Sequence, residues 1–533
     1  MSFRVKRNTM LHKVLDPARE AAIQEEIARG HRYVIDGGLR RVPPYYFTYL
    51  TFCKQRWIGR TLQDIFSAEF RDRPESYYHK AVADGLVLVN GRPATVEQKM
   101  QNGDLMIHRT HKHEQPVSAD PIKIVFQDDR LVVVDKPGGV PAHPTGRFKF
   151  NSVMAILEKE HGFQCHPCNR LDRLTSGLMF LAKTPKGADE IGQQIRDRAV
   201  TKQYLALVHG EFPLDQVSVD LPMQTVNPKV ALNMVDANGK HSLTQFRRVD
   251  FDPVTNRSLV LCMPHTGRTH QIRVHLQYLG FPIANDPIYS NDRAWGPTLG
   301  RHATAQNTDV EAVCAALDNV GKTEPARSLA FPESKGEMLS GAVCDECATP
   351  LYTDPGPNDL DLWLHALRYY ANDGSWSYET ELPKWAVPYH REFMDLALRE
   401  ARKAPDLDGA FAVGAVLVHN GRVLATGYTR ELEGNTHAEQ NALAKLAGQE
   451  LPPGTVLYTS MEPCTERLSG NEPCCNRVLA HPAIRTVFVG VMEPATFIAN
   501  NSSRKKLEDA GLVYLQIPGV ADEALAIAQK GHK

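Results

Sequence analysis

Apolar positions change their period repeatedly along the chain, and each change marks a new element. From Thr61, Leu62, Ile65, Phe66 and Phe70 recur at helical spacing, with Thr61 placed to cap. A second helical segment follows Pro74 and ends at Gly85, and Leu86-Val87-Leu88-Val89 then enters Asn90-Gly91, a strong hairpin signal. At Ile122 the pattern becomes that of strands: Ile122 to Phe126, then Leu131 to Val134, punctuated by Lys136-Pro137-Gly138-Gly139. Asn151 to Glu160 reads as a short amphipathic helix, and Lys202 to Gly210 and Gln245 to Val249 as strands. Residues 291–340 lose periodicity and read as a surface insertion, with disorder left open, after which Leu360 to Leu367 resumes the fold. From His390 the pattern restarts with a helix through Phe393, Leu396, Ala397 and Ala401, then a strand Phe411 to Val418 turning at Asn420-Gly421. The predicted organisation is a multidomain α/β chain: an extension over 1–50, a small helix-helix-hairpin unit over 51–119, a mixed α/β domain over 120–388, and a three-layer α/β/α domain over 389–533.

Length agrees with that division, since 533 residues exceed what one core serves at ~100 to 200 residues per domain. Hydrophobic residues at 42% and charged residues at 23% are ordinary for a soluble chain, and no apolar run approaches the roughly 18 residues of a membrane span. A net charge of −1 excludes a uniformly basic coat but leaves a local basic face open. Arg56, Arg60, Arg71, Arg73, Lys80 and Arg92 scatter through the helix-helix-hairpin unit, so that face could meet phosphates; a solvated charged surface explains them equally well. The unit resembles the S4-type RNA-binding module. Ten irregularly placed cysteines make no disulfide framework and indicate a reducing compartment, read as cytoplasmic. Arg4, Lys6, Arg7 and Lys13 precede any acid, which reads as a basic leader or an RNA-facing tail and leaves nuclear and mitochondrial pools open.

Chemistry concentrates in two stretches. In Arg170-Leu171-Asp172-Arg173-Leu174-Thr175-Ser176-Gly177 one carboxylate stands between two guanidiniums, which are expected to lie against it. Alone, the octet also fits a charged turn in which Thr175 and Ser176 satisfy the backbone. Downstream come Lys202-x-Tyr204-x-Ala206-x-Val208-x-Gly210 and Thr266-Gly267-Arg268-Thr269-His270-Gln271-Ile272-Arg273-x-His275-Leu276. The three motifs in this order resemble the RluA-type pseudouridine synthases, with Asn169 standing where the bacterial pattern has His. The resemblance implies a mixed α/β domain with an antiparallel sheet that isomerises uridine in RNA. Asp172 would attack or abstract at the sugar or base, Tyr204 stack on the extruded base, Arg273 pair with Asp172, and Arg170 help to hold RNA.

The second stretch is His437-Ala438-Glu439, followed by Pro463-Cys464 and Pro473-Cys474-Cys475, the signature of zinc-dependent nucleobase deaminases. Three ligands, His437, Cys464 and Cys474, would hold Zn²⁺ and leave a position for water, with Glu439 shuttling protons. Both cysteines follow Pro, which favours first helical turns. Thr436-x-x-Glu439 also fits a capping box, and Cys475 is the alternative to Cys474. The long loop Thr465 to Pro473 resembles the riboflavin-pathway pyrimidine deaminases, which act on 2,5-diamino-6-(ribitylamino)pyrimidin-4(3H)-one 5′-phosphate; Arg467, Ser469 and Asn471 are the candidate substrate contacts. The combination resembles the fungal bifunctional riboflavin family, in which the two enzymes are fused, and this resemblance implies pseudouridine formation in tRNA, within the anticodon arm. Two other readings stand beside it: a deaminase editing a base on RNA, and a synthase half reduced to RNA binding. The implied partners are tRNA and the pyrimidine phosphate, with no membrane and with homodimerisation left open. Cys344-x-x-Cys347 reads as a structural turn, with zinc the alternative, because no second pair of ligands sits nearby in the sequence.

Overall fold

A computed structural model describes residues 30–70, 75–162, 164–334, 336–406, 410–467, 470–494 and 501–530, together with residues 17, 20, 21 and 25. The basic residues of the first fifteen positions, Arg71 and Arg73 lie outside the described residues. The chain divides into two compact units, and both are discontinuous in sequence: 1–121 with 139–164 and 337–355, and 122–138 with 165–336 and 356–533.

In the first unit, Thr61 caps the helix Leu62–Glu69 through a capping box with Asp64, and Leu62, Ile65 and Phe66 turn into the core as their spacing predicts. The helix Glu75–Ala83 packs beside it, and Tyr78 stacks on Phe66. Val87–Val89 turns at Asn90-Gly91, both at positive φ, into Arg92–Pro93. These strands join Leu105–Lys112 and Tyr45–Phe52 in a four-stranded sheet. Several of the scattered cations are occupied by acids, Arg56 by Glu69 at 2.6 Å and Lys80 by Asp84 at 2.7 Å, which thins the expected basic face. A short sheet of Val34–Asp36, Leu39–Arg41 and Val117–Ser118 and the hairpin Leu339–Val343 with Pro350–Tyr352 complete this unit.

The second unit is built on a ten-stranded sheet. Its main path runs Val217–Asp220, Leu243–Asp252, Arg257–Pro264, Val200–His209, Leu364–Ala371, Ser176–Ala182, Leu131–Lys136 and Lys123–Gln127. All of these neighbours pair antiparallel except Ser176–Ala182 with Leu364–Ala371, where Ser176 faces His365 and Gly177 faces Ala366. The close parallel contact explains the motif glycine: at φ +104° a Cβ on Gly177 would stand 2.3 Å from the Ala366 carbonyl oxygen. The expected surface insertion over 291–340 is in part packed into the core. It carries the helices Asp292–Trp295 and Val310–Asp318, whose Trp295, Val313 and Leu317 are buried with Met223, Met234, Val274 and Tyr289. Val310, Val313, Cys314 and Leu317 fall at helical spacing and anchor the second of these helices.

A five-stranded sheet follows in the order Arg422–Tyr428, Gly414–His419, Thr455–Met461, Ile484–Val491, Val513–Gln516, its last three strands parallel. Helices Val387–Ala401, Ala438–Ala444, Cys474–Leu479, Ser503–Asp509 and Ala521–Ala528 accompany it, giving α/β layers. The boundary predicted at 388 and 389 is no gap in packing. Val249, Leu259, Leu261 and Leu367 share one core with Phe393, Met394, Tyr458 and Phe488. Within that core Asp250, His390 and Tyr458 form a buried polar group, with His390 Nδ1 2.7 Å from the Tyr458 hydroxyl, which donates to Asp250 at 3.4 Å.

Candidate functional site

Two separate groups of side chains in the second unit have the composition of reactive sites. The first forms where the turn before Ser176–Ala182 meets the N-terminus of the helix Gln271–Leu279. Asp172 is reached from 101 positions downstream, by Arg273 Nη1 at 3.4 Å from Oδ2. His270 Nε2 lies 3.6 Å from the same oxygen. Arg170, expected against Asp172, is instead exposed, and Arg173 gives its carbonyl oxygen to Lys136. The side chain of Asp172 keeps 39% of its surface accessible whereas that of Arg273 keeps 6%, so the carboxylate is the member of the pair open to a substrate.

Arg273 is held by a partner the motifs did not single out. Asp286 accepts from Nε at 2.6 Å and from Nη2 at 2.9 Å, and its Oδ1 also accepts the backbone N–H groups of Ile288 and Tyr289. Burial pushes the Asp286 carboxyl up, but the Arg273 charge and these hydrogen bonds outweigh it and hold the group below the ordinary range. The fork is thereby locked by a fully buried carboxylate, leaving Nη1 for Asp172.

His270 takes φ +58° at the head of its helix, an unusual conformation for a residue with a side chain. Its Nδ1 lies 3.0 Å from the Tyr289 hydroxyl, and burial first and then Arg273 lower its pKa to about 4, so it is neutral near pH 7. Lys136 is fully buried and donates to the carbonyls of Pro137 at 2.9 Å and Arg173 at 3.1 Å. Burial pulls its pKa down to about 7, against the charges of Asp172 and Asp361. A single lysine ahead of Pro137-Gly138-Gly139 reads as turn punctuation, so no sequence signal marked it.

Tyr204 stands on the strand Val200–His209 at a bulge in its pairing with Leu364–Ala371, which re-aims the side chain. It is half-buried, and its hydroxyl bonds that of Tyr369. Burial drives its phenol well above the ordinary range, with Tyr369 and the charge of Asp172 adding. Asn169 accepts the Phe180 N–H at 2.8 Å, so the residue in place of the bacterial His serves the sheet.

The second group gathers His437, Cys464 and Cys474, whose ligand atoms all lie within 4.8 Å of one another. His437 Nδ1 is 3.6 Å from Cys464 Sγ and 3.4 Å from Cys474 Sγ. Such a soft donor set of one imidazole and two thiols suits Zn²⁺ with a fourth position free. Cys474 opens the helix Cys474–Leu479 after Pro473, as expected; Cys464 does not open a helix but lies in the loop after Thr455–Met461. Its backbone is fixed instead by Cys475, whose N–H donates to the Cys464 carbonyl at 3.1 Å. Cys475 turns its thiol to Ser503 Oγ at 3.1 Å, away from the group.

The helix Ala438–Ala444 starts after His437, and Thr436 gives its hydroxyl to the Leu432 carbonyl, so the capping box does not form. Glu439 is free of that role. It is buried and accepts from Thr459 Oγ1 at 3.0 Å, and burial raises its pKa. In the cluster Cys474 donates toward Cys464, which holds the Cys464 thiol down and pushes the Cys474 thiol up. Arg467 donates to Gln440 Oε1 at 3.0 Å and to the Asn435 carbonyl, which Asn471 also reaches at 3.5 Å. These two therefore brace the loop beside His437, and Ser469 lies outside the described residues.

Comparison with known proteins divides the chain in the same way. The family described as RNA pseudouridylate synthase matches residues 130–278, and the cytidine and deoxycytidylate deaminase zinc-binding region matches residues 388–491. The tRNA pseudouridine(32) synthase, mitochondrial, of Saccharomyces cerevisiae is 50% identical over 388 residues, covering 70% of this chain and 80% of that protein. The human pseudouridylate synthase RPUSD2 is 38% identical over 412 residues, covering 66% of this chain and 74% of its own. Among solved structures, the Aspergillus oryzae Rib2 deaminase is 34% identical, covering 27% of this chain and 92% of that one, with a TM-score of 0.26.

Proposed function

Because the chain belongs to the RNA pseudouridylate synthase family, we propose that its front part isomerises uridine to pseudouridine in tRNA, within the anticodon arm. The observation that carries this reading is the accessible Asp172 carboxylate against an Arg273 already neutralised by Asp286. An arginine so held can orient Asp172 without burying it, and Tyr204 offers a ring beside it for a uracil taken out of the stack. Asp172 then acts at the sugar or the base while the N-glycosidic bond breaks and the same uracil reattaches through carbon, so no atom is gained or lost. The S4-like unit over 51–119 and the exposed Arg170 serve to hold the RNA. The position for which the yeast relative is named makes uridine 32 the one to test first. Asp172→Ala should abolish pseudouridine formation in tRNA while leaving the fold intact; unchanged formation would overturn the assignment, and its absence in the parent chain would favour a synthase half reduced to RNA binding.

For the C-terminal part we propose hydrolytic deamination of 2,5-diamino-6-(ribitylamino)pyrimidin-4(3H)-one 5′-phosphate, a step of riboflavin synthesis. His437, Cys464 and Cys474 would hold Zn²⁺, which when bound supplies Lewis acidity that brings water deprotonation into the neutral range. Glu439, buried and oriented by Thr459, carries a proton from the attacking water to the departing amine. The long loop 465–473, braced by Arg467 and Asn471, supports a small-molecule substrate over a nucleic acid strand. Release of ammonia from the pyrimidine phosphate is the expected result; no release, together with deamination of tRNA, would favour a base-editing enzyme. The cytoplasm is the proposed compartment; no helix among the described residues is long and apolar enough to cross a membrane.

A further inference from the structure

We propose that His111, His113, Cys344 and Cys347 form a second, structural Zn²⁺ site, a closed Cys₂His₂ tetrahedron within the first unit. Neither of the two activities uses these residues. The sequence hides the site because its halves lie more than two hundred positions apart, and a lone Cys-x-x-Cys falls two ligands short.

Folding supplies the missing pair. His111 lies on the strand Leu105–Lys112, and His113, two positions on, repeats its face. Cys344 and Cys347 sit in the loop of the hairpin formed by Leu339–Val343 and Pro350–Tyr352. The four ligand atoms all lie within 4.8 Å of one another. Cys344 Sγ is 3.7 Å from His111 Nδ1 and Cys347 Sγ is 3.4 Å from His113 Nε2. Zinc bonds of about 2.3 Å to sulfur and about 2.0 Å to nitrogen give tetrahedral edges of roughly 3.3 to 3.8 Å. The two Cys–His separations, 3.7 and 3.4 Å, fall within that range.

Three independent features agree. The loop is bent as a metal knuckle requires: Cys344 N donates to Thr349 O at 2.9 Å, Ala348 N to Cys344 O at 2.8 Å, and Ala348 adopts φ +54°. His111 is oriented through its other nitrogen, with Nε2 3.3 Å from Glu346 Oε2, while Glu346 Oε1 accepts from the Tyr46 hydroxyl at 2.6 Å. A carboxylate on the outer nitrogen fixes the tautomer that leaves Nδ1 as the ligand. Lastly, the hairpin has almost no apolar anchor of its own, because Leu339–Val343 is exposed after its first residue and Val343 is 55% accessible. A hairpin of two short strands without a buried face is marginal at best, and metal binding is a sufficient source of stability. With four protein ligands there is no open position, so the site holds structure and does no chemistry.

The test is metal counting on the full-length protein. Inductively coupled plasma mass spectrometry should find two zinc equivalents per chain in the parent, one in C344S/C347S, one in C464S and none in the combined variant. Loss of the C464S-sensitive equivalent alone would concern the deaminase reading and leave this one standing. As a measurement on the parent chain, Cys344 and Cys347 should resist alkylation until a strong chelator is added, after which both should react within the same interval as denatured protein. Equal zinc in the parent and C344S/C347S, alkylation of both thiols before chelation, or a Cys344–Cys347 disulfide in the purified chain would each overturn the proposal.

Discussion

Asp286→Asn is the most incisive perturbation of the uridine site, because it removes a charge while keeping the shape. In the parent, Arg273 Nε meets Asp286 Oδ2 at 2.6 Å and Nη2 meets Oδ1 at 2.9 Å, and both side chains are buried. The Oδ1 atom also receives two backbone N–H groups, so the asparagine must keep its oxygen there and turn its amide toward Arg273 Nε. Donor then faces donor at Nε, Nη2 keeps only a neutral amide oxygen, and the carboxylate left beside the guanidinium is Asp172 at 3.4 Å, partly screened by water. Breaking one side of a buried pair costs about 3 to 5 kcal/mol. Urea unfolding should show a loss of that size, and pseudouridine formation should fall with it as Arg273 shifts. The cycle through Arg273→Met and the double variant separates pairing from packing: the double variant should recover most of the lost stability, since no charge is left unpaired. Costs that simply add, or a single variant within about 0.5 kcal/mol of the parent, would refute the claim that Asp286 neutralises Arg273.

Cys464→Ser should abolish both deamination and C-terminal zinc, whereas Cys475→Ser, altering a thiol turned to Ser503, should keep both; the reverse outcome in metal analysis would make Cys475 the ligand. Gly177→Ala should destabilise by on the order of 3 kcal/mol in denaturant titration, from strained φ and collision with the Ala366 carbonyl. Burial raises the Asp250 carboxyl to about 7, so the folded state holds a proton that the unfolded chain releases near pH 4. The stability tied to that proton is complete below pH 4 and lost as the pH rises toward 7. Asp250→Asn should therefore gain on the parent between pH 4 and pH 7.5 by at most about 4 kcal/mol, and parallel stability curves for the two proteins would contradict this.

Local rules carried a large part of the fold. Thr61 with Asp64 begins its helix, and Asn90-Gly91 and Asn420-Gly421 close their hairpins, because each signal acts over a few neighbouring residues. The helix-helix-hairpin order is visible in the same way. The stretch 291–340 was not, since Trp295, Val313 and Leu317 find their core only against strands far away in sequence. The restart of periodicity at 388 and 389 marks a new element; it cannot report that both faces of the strands Leu243–Asp252 and Arg257–Pro264 bury apolar side chains, so that a core is shared across it.

The reactive groups divide along the same line. The sequence alone singled out the candidates Asp172, Tyr204, Arg273, His437, Glu439, Cys464 and the Pro-Cys-Cys run, because chemistry restricts residue types at short spacings. Only the tertiary structure decided which groups meet. It put Arg273 rather than exposed Arg170 against Asp172, supplied Asp286, His270 and Lys136 from outside the octet, turned Cys475 away from His437, and brought His111 and His113 to Cys344 and Cys347. Ion pairing and metal ligation act over a few ångströms of space whatever the separation along the chain, so they become legible only once sheet pairing has brought distant segments together.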